Sequence, residues 1–329
     1  MAYTTIDDPS AYFQVALHTG NGGTQSITND GNSDLQPDLV WIKGRSTNSH
    51  HALFDSVRSA TKRLSSSENN AETTESTGLT SFNSDGWSTG AWSGSNSNTK
   101  TYVSWQWKES TVAGLDIIAY TGQGISTAFD VSHNLSAVPD WIMIKNRSVD
   151  QAWRVYSKSM GFSNRLVLSE SGAKSTSALG LDADPTSSVI NIGTGTGCTN
   201  ASGENFICYA FKNVKGFSKA FSYSGNGNSD GSYIHLGFRA SFIMIKATSG
   251  SENFRIYDNK RNGFNVDNEQ LFANIDSIES SDADLDILAN GFKCRRNSGG
   301  FNNSGTTYIG IAFAEFPFVT STGVPTTAR

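Results

Sequence analysis

Three segments of the chain spell the same strand: YVSWQWK at 102–108, FICYAFK at 206–212 and YIGIAFA at 308–314, starting 104 and 102 residues apart. Common solenoid and propeller repeats run to roughly 20–50 residues, so a period of this length implies whole domains copied in tandem. Val103, Trp105 and Trp107 fall on one face of such a strand, as do Ile207, Tyr209 and Phe211, and then Ile309, Ile311 and Phe313. The positions between them, Ser104 and Gln106, become Cys208 and Ala210, then Gly310 and Ala312. A second face this small lets a neighbour approach closely, so the strand is expected to be covered on both sides, as in a sandwich.

Two further anchors keep the period. ALHTGNG at 16–22, IAYTGQG at 118–124 and FSYSGNG at 221–227 place a turn at Gly20, Gly122 and Gly225. PDLVWIK at 37–43, PDWIMIK at 139–145 and ASFIMIK at 240–246 read as central strands. Their closing residues, Lys43, Lys145 and Lys246, are expected to be solvated strand ends rather than ligand-binding cations. ALFDS at 52–56, AWRVYS at 152–157 and NFRIYD at 253–258 follow, and the third quarter of each unit diverges most. The best helical candidate, FDSVRSATKRL at 54–64, has Ser and Thr in its middle and no Gly to stop it, so little helix is expected.

The expected fold is therefore all-β: three tandem β-sandwich, jelly-roll-like repeats of about 100 residues, at 12–112, 113–214 and 215–318. Extended arms are expected at 1–11 and 319–329. Each repeat is long enough to bury its own core. The short linkers KESTVAGLD at 108–116 and KNVKGFSK at 212–219 fit both a pseudo-threefold cluster and a bent row.

Charge narrows the partners. Only 17% of residues are charged, the net charge is -5 and no Lys/Arg-rich block is present, which argues against nucleic acid. Apolar runs such as WIMIK stop far short of a membrane span, and MAYTTIDDPSAYF lacks the basic start and apolar core of a signal peptide. Synthesis as a soluble cytosolic chain is the expectation.

The reactive side chains form no recognisable motif. Cys198, Cys208 and Cys294 are an odd number without CxxC spacing, and Cys208 reads as a small packed residue. None of the histidines recurs in all three copies; His18 stands where the others have Tyr120 and Tyr223, which suits packing. Asp282, Asp284 and Asp286 alternate like the start of an EF-hand loop, but Ile287 and Lys293 occupy the positions needing Gly and Glu. They read as a solvated strand or loop, with calcium as the minor alternative. GTGTGC at 193–198 resembles a phosphate loop but leads toward a strand, so a hairpin is expected there. No catalytic residue, metal site or cofactor is expected. Trp87 and Trp92, in the Gly/Ser-rich SDGWSTGAWSGSNS, are the weak ligand-binding candidates, as aromatics that could stack on sugar rings. The plainer reading puts Trp87 in the aromatic slot also filled by Phe292.

Over nearly its whole length the chain resembles a family of tailed-bacteriophage virion proteins, found especially in marine and cyanobacterial phages. The resemblance lies in the opening MAYTTIDDPSAYFQ with TGNGGTQSITNDGNSDLQPDLVWIK, in GFSKAFSYSGNGNSDGSYIHLGFRASFIMIK at 216–246 and in AFAEFPFVTSTGVPTTAR at 312–329. It implies a structural or tail-fibre-like role in the virion and brings no catalytic residues with it. The expectation is a non-enzymatic exterior protein, associated with the tail or fibres or decorating the capsid, that holds other virion proteins through its arms and sandwich faces as a homo-oligomer within the particle. The alternatives are a module binding host-surface glycan and a polysaccharide depolymerase, the last of which needs paired carboxylates at a cleft.

Overall fold

Alternation along the strands decides which way each one faces, and in all three copies it builds the same sheet. The computed structural model describes residues 2–176, 180–194, 197–261, 265 and 267–326. In the first copy the strands lie side by side in the order Phe13–Thr19, Thr101–Trp107, Leu39–Gly44, Ala52–Asp55. The second repeats this as Leu115–Thr121, Asn205–Phe211, Trp141–Asn146, Arg154–Ser157, and the third as Ser218–Ser224, Thr307–Pro317, Phe238–Ala247, Arg255–Asp258. Pairing is antiparallel throughout, and the register is shared: Leu39, Trp141 and Phe242 lie opposite Trp107, Phe211 and Phe313. Among the described residues no sheet joins strands from different copies.

A smaller outer layer covers each sheet. It is three-stranded in the first copy and two-stranded in the second (Phe129–Ser132 with Val189–Ile192). In the third copy it runs on from Arg255–Asp258 as one eight-stranded sheet. The outer faces of the first two sheets bury separate clusters, one around Ile42, Phe54 and Trp87 and one around Ile144, Tyr156 and Ile190.

The inner faces do not bury separate cores. Val103, Trp105 and Trp107, Ile207, Tyr209 and Phe211, and Ile309, Ile311 and Phe313 all belong to one apolar cluster, together with Trp41, Trp141 and Phe242. At its centre Phe13 stacks on Phe313 at 5.2 Å, and Trp107 meets Phe242 edge-on at 5.6 Å. The three apolar residues at period two thus face a core that the copies share, because three sheets with one large aromatic face each bury more apolar surface against one another than alone.

Backbone bonds lock the copies in a cycle. Gln151 of the second copy donates its N–H to Asn69 O of the first at 2.9 Å, Glu252 of the third to Ser171 O of the second at 2.9 Å, and Ser49 of the first to Asp276 O of the third at 3.1 Å. Each copy therefore grips its predecessor and the first grips the last, so the arrangement is a closed pseudo-threefold ring and not a bent row.

Helix is confined to the short turns Pro9–Ala11, Ser93–Asn96, Lys158–Met160 and Gly197–Asn200 among the described residues. The 54–64 segment ends one strand, turns with Ser59 and Thr61 at φ 75° and 69°, and enters the short strand Lys62–Arg63. The terminal segments differ from the extended arms expected. Ile6 is buried in the shared core, Tyr3 donates its hydroxyl to Gly237 O at 2.7 Å, and Asp7 accepts the Ser321 N–H at 2.6 Å. Both ends are thus fastened to the third copy and to each other; the last three residues, 327–329, lie outside the described residues.

Candidate functional site

The lysines closing the central strands are not solvated. Lys43, Lys145 and Lys246 have no exposed surface. They continue the inward rows Leu39–Trp41, Trp141–Met143 and Phe242–Met244, so strand parity aims them at the seams. Each ammonium donates to the carbonyl of the next residue, Gly44, Asn146 or Ala247, at 2.8, 2.8 and 3.0 Å. Each also reaches the carbonyl of the neighbouring copy that already accepts a backbone N–H: Asp276 at 3.2 Å, Asn69 at 3.1 Å and Ser171 at 3.1 Å. Burial lowers all three pKa values to about 8. The bland sequence reading fails here because what receives the ammonium is a loop of another copy.

A recurrent asparagine escaped sequence reasoning. Asn96, Asn200 and Asn302 have no exposed surface, and their side-chain oxygens accept the N–H of Asn21, Gln123 and Asn226 at 2.8, 2.8 and 3.1 Å. They clamp the glycine turns from beneath. A Cβ on Gly20, Gly122 or Gly225 would collide with the backbone carbonyl of Ser97, Ala201 or Asn303, which is why glycine recurs there. The signal was present: the asparagines are 104 and 102 residues apart.

Trp87 and Trp92 do not form an exposed pair. Trp87 has no exposed surface and donates its indole N–H to Ser104 Oγ at 3.2 Å, in the slot that Phe292 fills in the third copy. Trp92 is half-buried, edge-on to Phe54 at 6.4 Å, with the Arg63 guanidinium 5.2 Å from its ring centre. It forms one wall of an open pocket of about 330 Å³ with Asn48, Ser49, His50, Glu68 and Ser97. Arg63 binds Glu68 at 2.8 Å, and His50 lies 3.6 Å from the same carboxylate. This pocket is the candidate site.

The other features settle into structure. Burial raises the Cys208 thiol pKa and pushes that of Cys294 up to about 12, so neither is a reactive thiolate at neutral pH. His18 stacks on Tyr102 at 5.0 Å just as Tyr120 stacks on Phe206 and Tyr223 on Tyr308. Asp282, Asp284 and Asp286 line one face of the strand Ser280–Leu288, paired with Arg296, Arg255 and Arg295. Asp284 is fully buried, which corrects the solvated reading. Among the described residues no three His, Cys, Asp or Glu side chains gather to hold a metal, and no helix is long and apolar enough to cross a membrane. The GTGTGC segment leads into the helical turn Gly197–Asn200 instead of a hairpin; its residues 195–196 lie outside the described residues.

A family model described as a domain of unknown function, DUF7483, matches residues 8–317. The chain belongs to this family. The match runs across all three copies and is not confined to a single repeat. No curated protein matches the chain.

Proposed function

We propose that the chain is a non-enzymatic structural protein on the exterior of a phage particle, associated with the tail or fibres or decorating the capsid. The observation that carries this reading is the closed ring: one chain presenting three like faces about an axis suits a position where like partners converge around that axis. The phage-like wording of the sequence supports the same reading. Contacts with neighbouring virion proteins then run through the sheet faces, the loops and the exposed stretches of the two arms. Cryo-EM or immunogold localisation on intact particles tests it. Density at regular capsid, tail or fibre positions is expected, and absence of the chain from purified particles would overturn the proposal.

A second reading, attachment to host-surface glycan, is favoured by one observation, the pocket beside Trp92. Density confined to the tail tip or fibres would favour it over capsid decoration.

A further inference from the structure

The three copies act as controls for one another around the Trp92 pocket. In the second copy two long side chains bridge the edge strand to the following helical turn: Arg154 donates to Cys198 Sγ at 2.8 Å, and that thiol donates to Gln151 Oε1 at 2.9 Å. In the third copy Arg255 lies against Gly300 and Glu252 against Gly299, so closely that a Cβ on either glycine would collide with them. The first copy has Ala52 where the others have Arg154 and Arg255, and Ser49 where they have Gln151 and Glu252. Trp92 replaces the missing guanidinium by laying its ring against Gly94, the counterpart of Cys198 and Gly300. Ser49 is shorter than Gln151 and Glu252, and a pocket of about 330 Å³ opens beside it.

The pocket is polar, with one aromatic wall. Asn48, His50 and Ser97 supply its polar groups, while Arg63 Nε and Ser49 Oγ are occluded and without a hydrogen-bond partner. Glu68 pairs with Arg63 at 2.8 Å, so neither of these charges is left over to select an ion. An aromatic edge beside hydroxyl, amide and guanidinium groups matches a ligand with both C–H and O–H faces. A volume near the lower end of ordinary ligand sites, roughly 300–1,000 Å³, suits one or two sugar rings.

We propose that this pocket binds an uncharged saccharide, with Asn48, His50 and Ser97 bonding its hydroxyls and the edge of Trp92 against its C–H groups. The inference deepens the second reading above and rests on it; it can fail while the virion reading stands, and the reverse.

The test is saturation-transfer NMR on the full chain with the methyl glycosides of glucose, galactose, mannose and N-acetylglucosamine, followed by a glycan array. At least one saccharide is expected to bind. Ser49→Gln, which restores the residue of the second copy, should weaken that binding by at least about tenfold, which is 1.4 kcal/mol, without changing the melting temperature. If Ser49→Gln melts early, Asn48→Ala and Ser97→Ala carry the same expectation of weakened binding. Tyr233→Ala, at an exposed aromatic in the third copy, should leave binding unchanged. Absence of binding on both platforms, or binding untouched by the pocket variants, would overturn the proposal.

Discussion

Trp105 donates its indole N–H to Asp258 Oδ2 at 2.9 Å, across the seam where the first copy closes on the third. Asp258 also holds Arg261 of its own copy at 2.6 Å, with both side chains fully buried. Tyr209 makes the same approach to Asp55 at 2.6 Å between the second copy and the first, with Arg58 as the buried partner. At the third seam the corresponding residues are Ile311, Ser157 and Met160. Donor, acceptor and cation disappear together because any one left alone would be a buried polar group without a partner.

Asp258→Ala should therefore cost about 3–5 kcal/mol, since it strands the Arg261 charge and the Trp105 donor in the core. Ser157→Ala, at the apolar seam, should cost less than about 1 kcal/mol. Urea denaturation measures both, and equal losses would contradict the account of the seams.

The buried lysines predict a rise in stability on the alkaline side. Below about pH 8 they are charged in both states and their desolvation cost is present in full. Between about pH 8 and the unfolded value of 10.5 the unfolded chain holds protons that the folded chain has released, so stability increases with pH. Each lysine contributes on the order of 3 kcal/mol across that window. Above about pH 10 the buried tyrosines act in the opposite sense, because burial holds Tyr120, Tyr209, Tyr223 and Tyr257 protonated while the unfolded chain ionises. Urea midpoints from pH 7 to 10 should show a shallower rise for Lys145→Met than for the wild type. Identical pH profiles would rule out the lysine as a cause.

His51 predicts acid sensitivity. Trp41 donates to its Nδ1 at 2.8 Å, which leaves the proton on Nε2 to be donated to Phe272 O at 2.8 Å. Both ring nitrogens are thus engaged in the neutral form, and burial together with Lys43 holds the pKa well below 6.5. As pH falls below 6.5 the unfolded chain takes a proton that the folded chain refuses, so stability is lost. Above 6.5 it is present in full. His51→Gln should be less stable at pH 7 but should change less between pH 6.5 and 5, as read by thermal melts across that range.

The asparagine clamps predict similar losses at equivalent sites. Asn96→Ala, Asn200→Ala and Asn302→Ala should each cost about 1–3 kcal/mol by leaving turn N–H groups without an acceptor. Hydrogen exchange should speed up at Asn21, Gln123 and Asn226 respectively, and exchange unchanged at those amides would exclude the clamp.

Much of the fold was legible because strand parity is local. Val103, Trp105 and Trp107 had to share a face whatever lay opposite, and the small face of the same strand announced a close neighbour. What lay opposite was not local: Lys43 ends a row that points inward, but its acceptor Asp276 O is 233 residues away. The burial of Ile6 was illegible for the same reason, since nothing in MAYTTIDDPS shows that a third copy waits to receive it. The pocket could be found only by setting the copies side by side, because Ala52 and Ser49 are unremarkable until Arg154, Arg255, Gln151 and Glu252 stand beside them.

Differential scanning calorimetry tests most directly whether the three copies share one core. A closed ring around one aromatic cluster should melt in a single transition, with a calorimetric enthalpy equal to the van't Hoff enthalpy. Three resolved transitions, or a calorimetric enthalpy about three times the van't Hoff value, would mean that the copies fold as independent domains and would contradict the shared core.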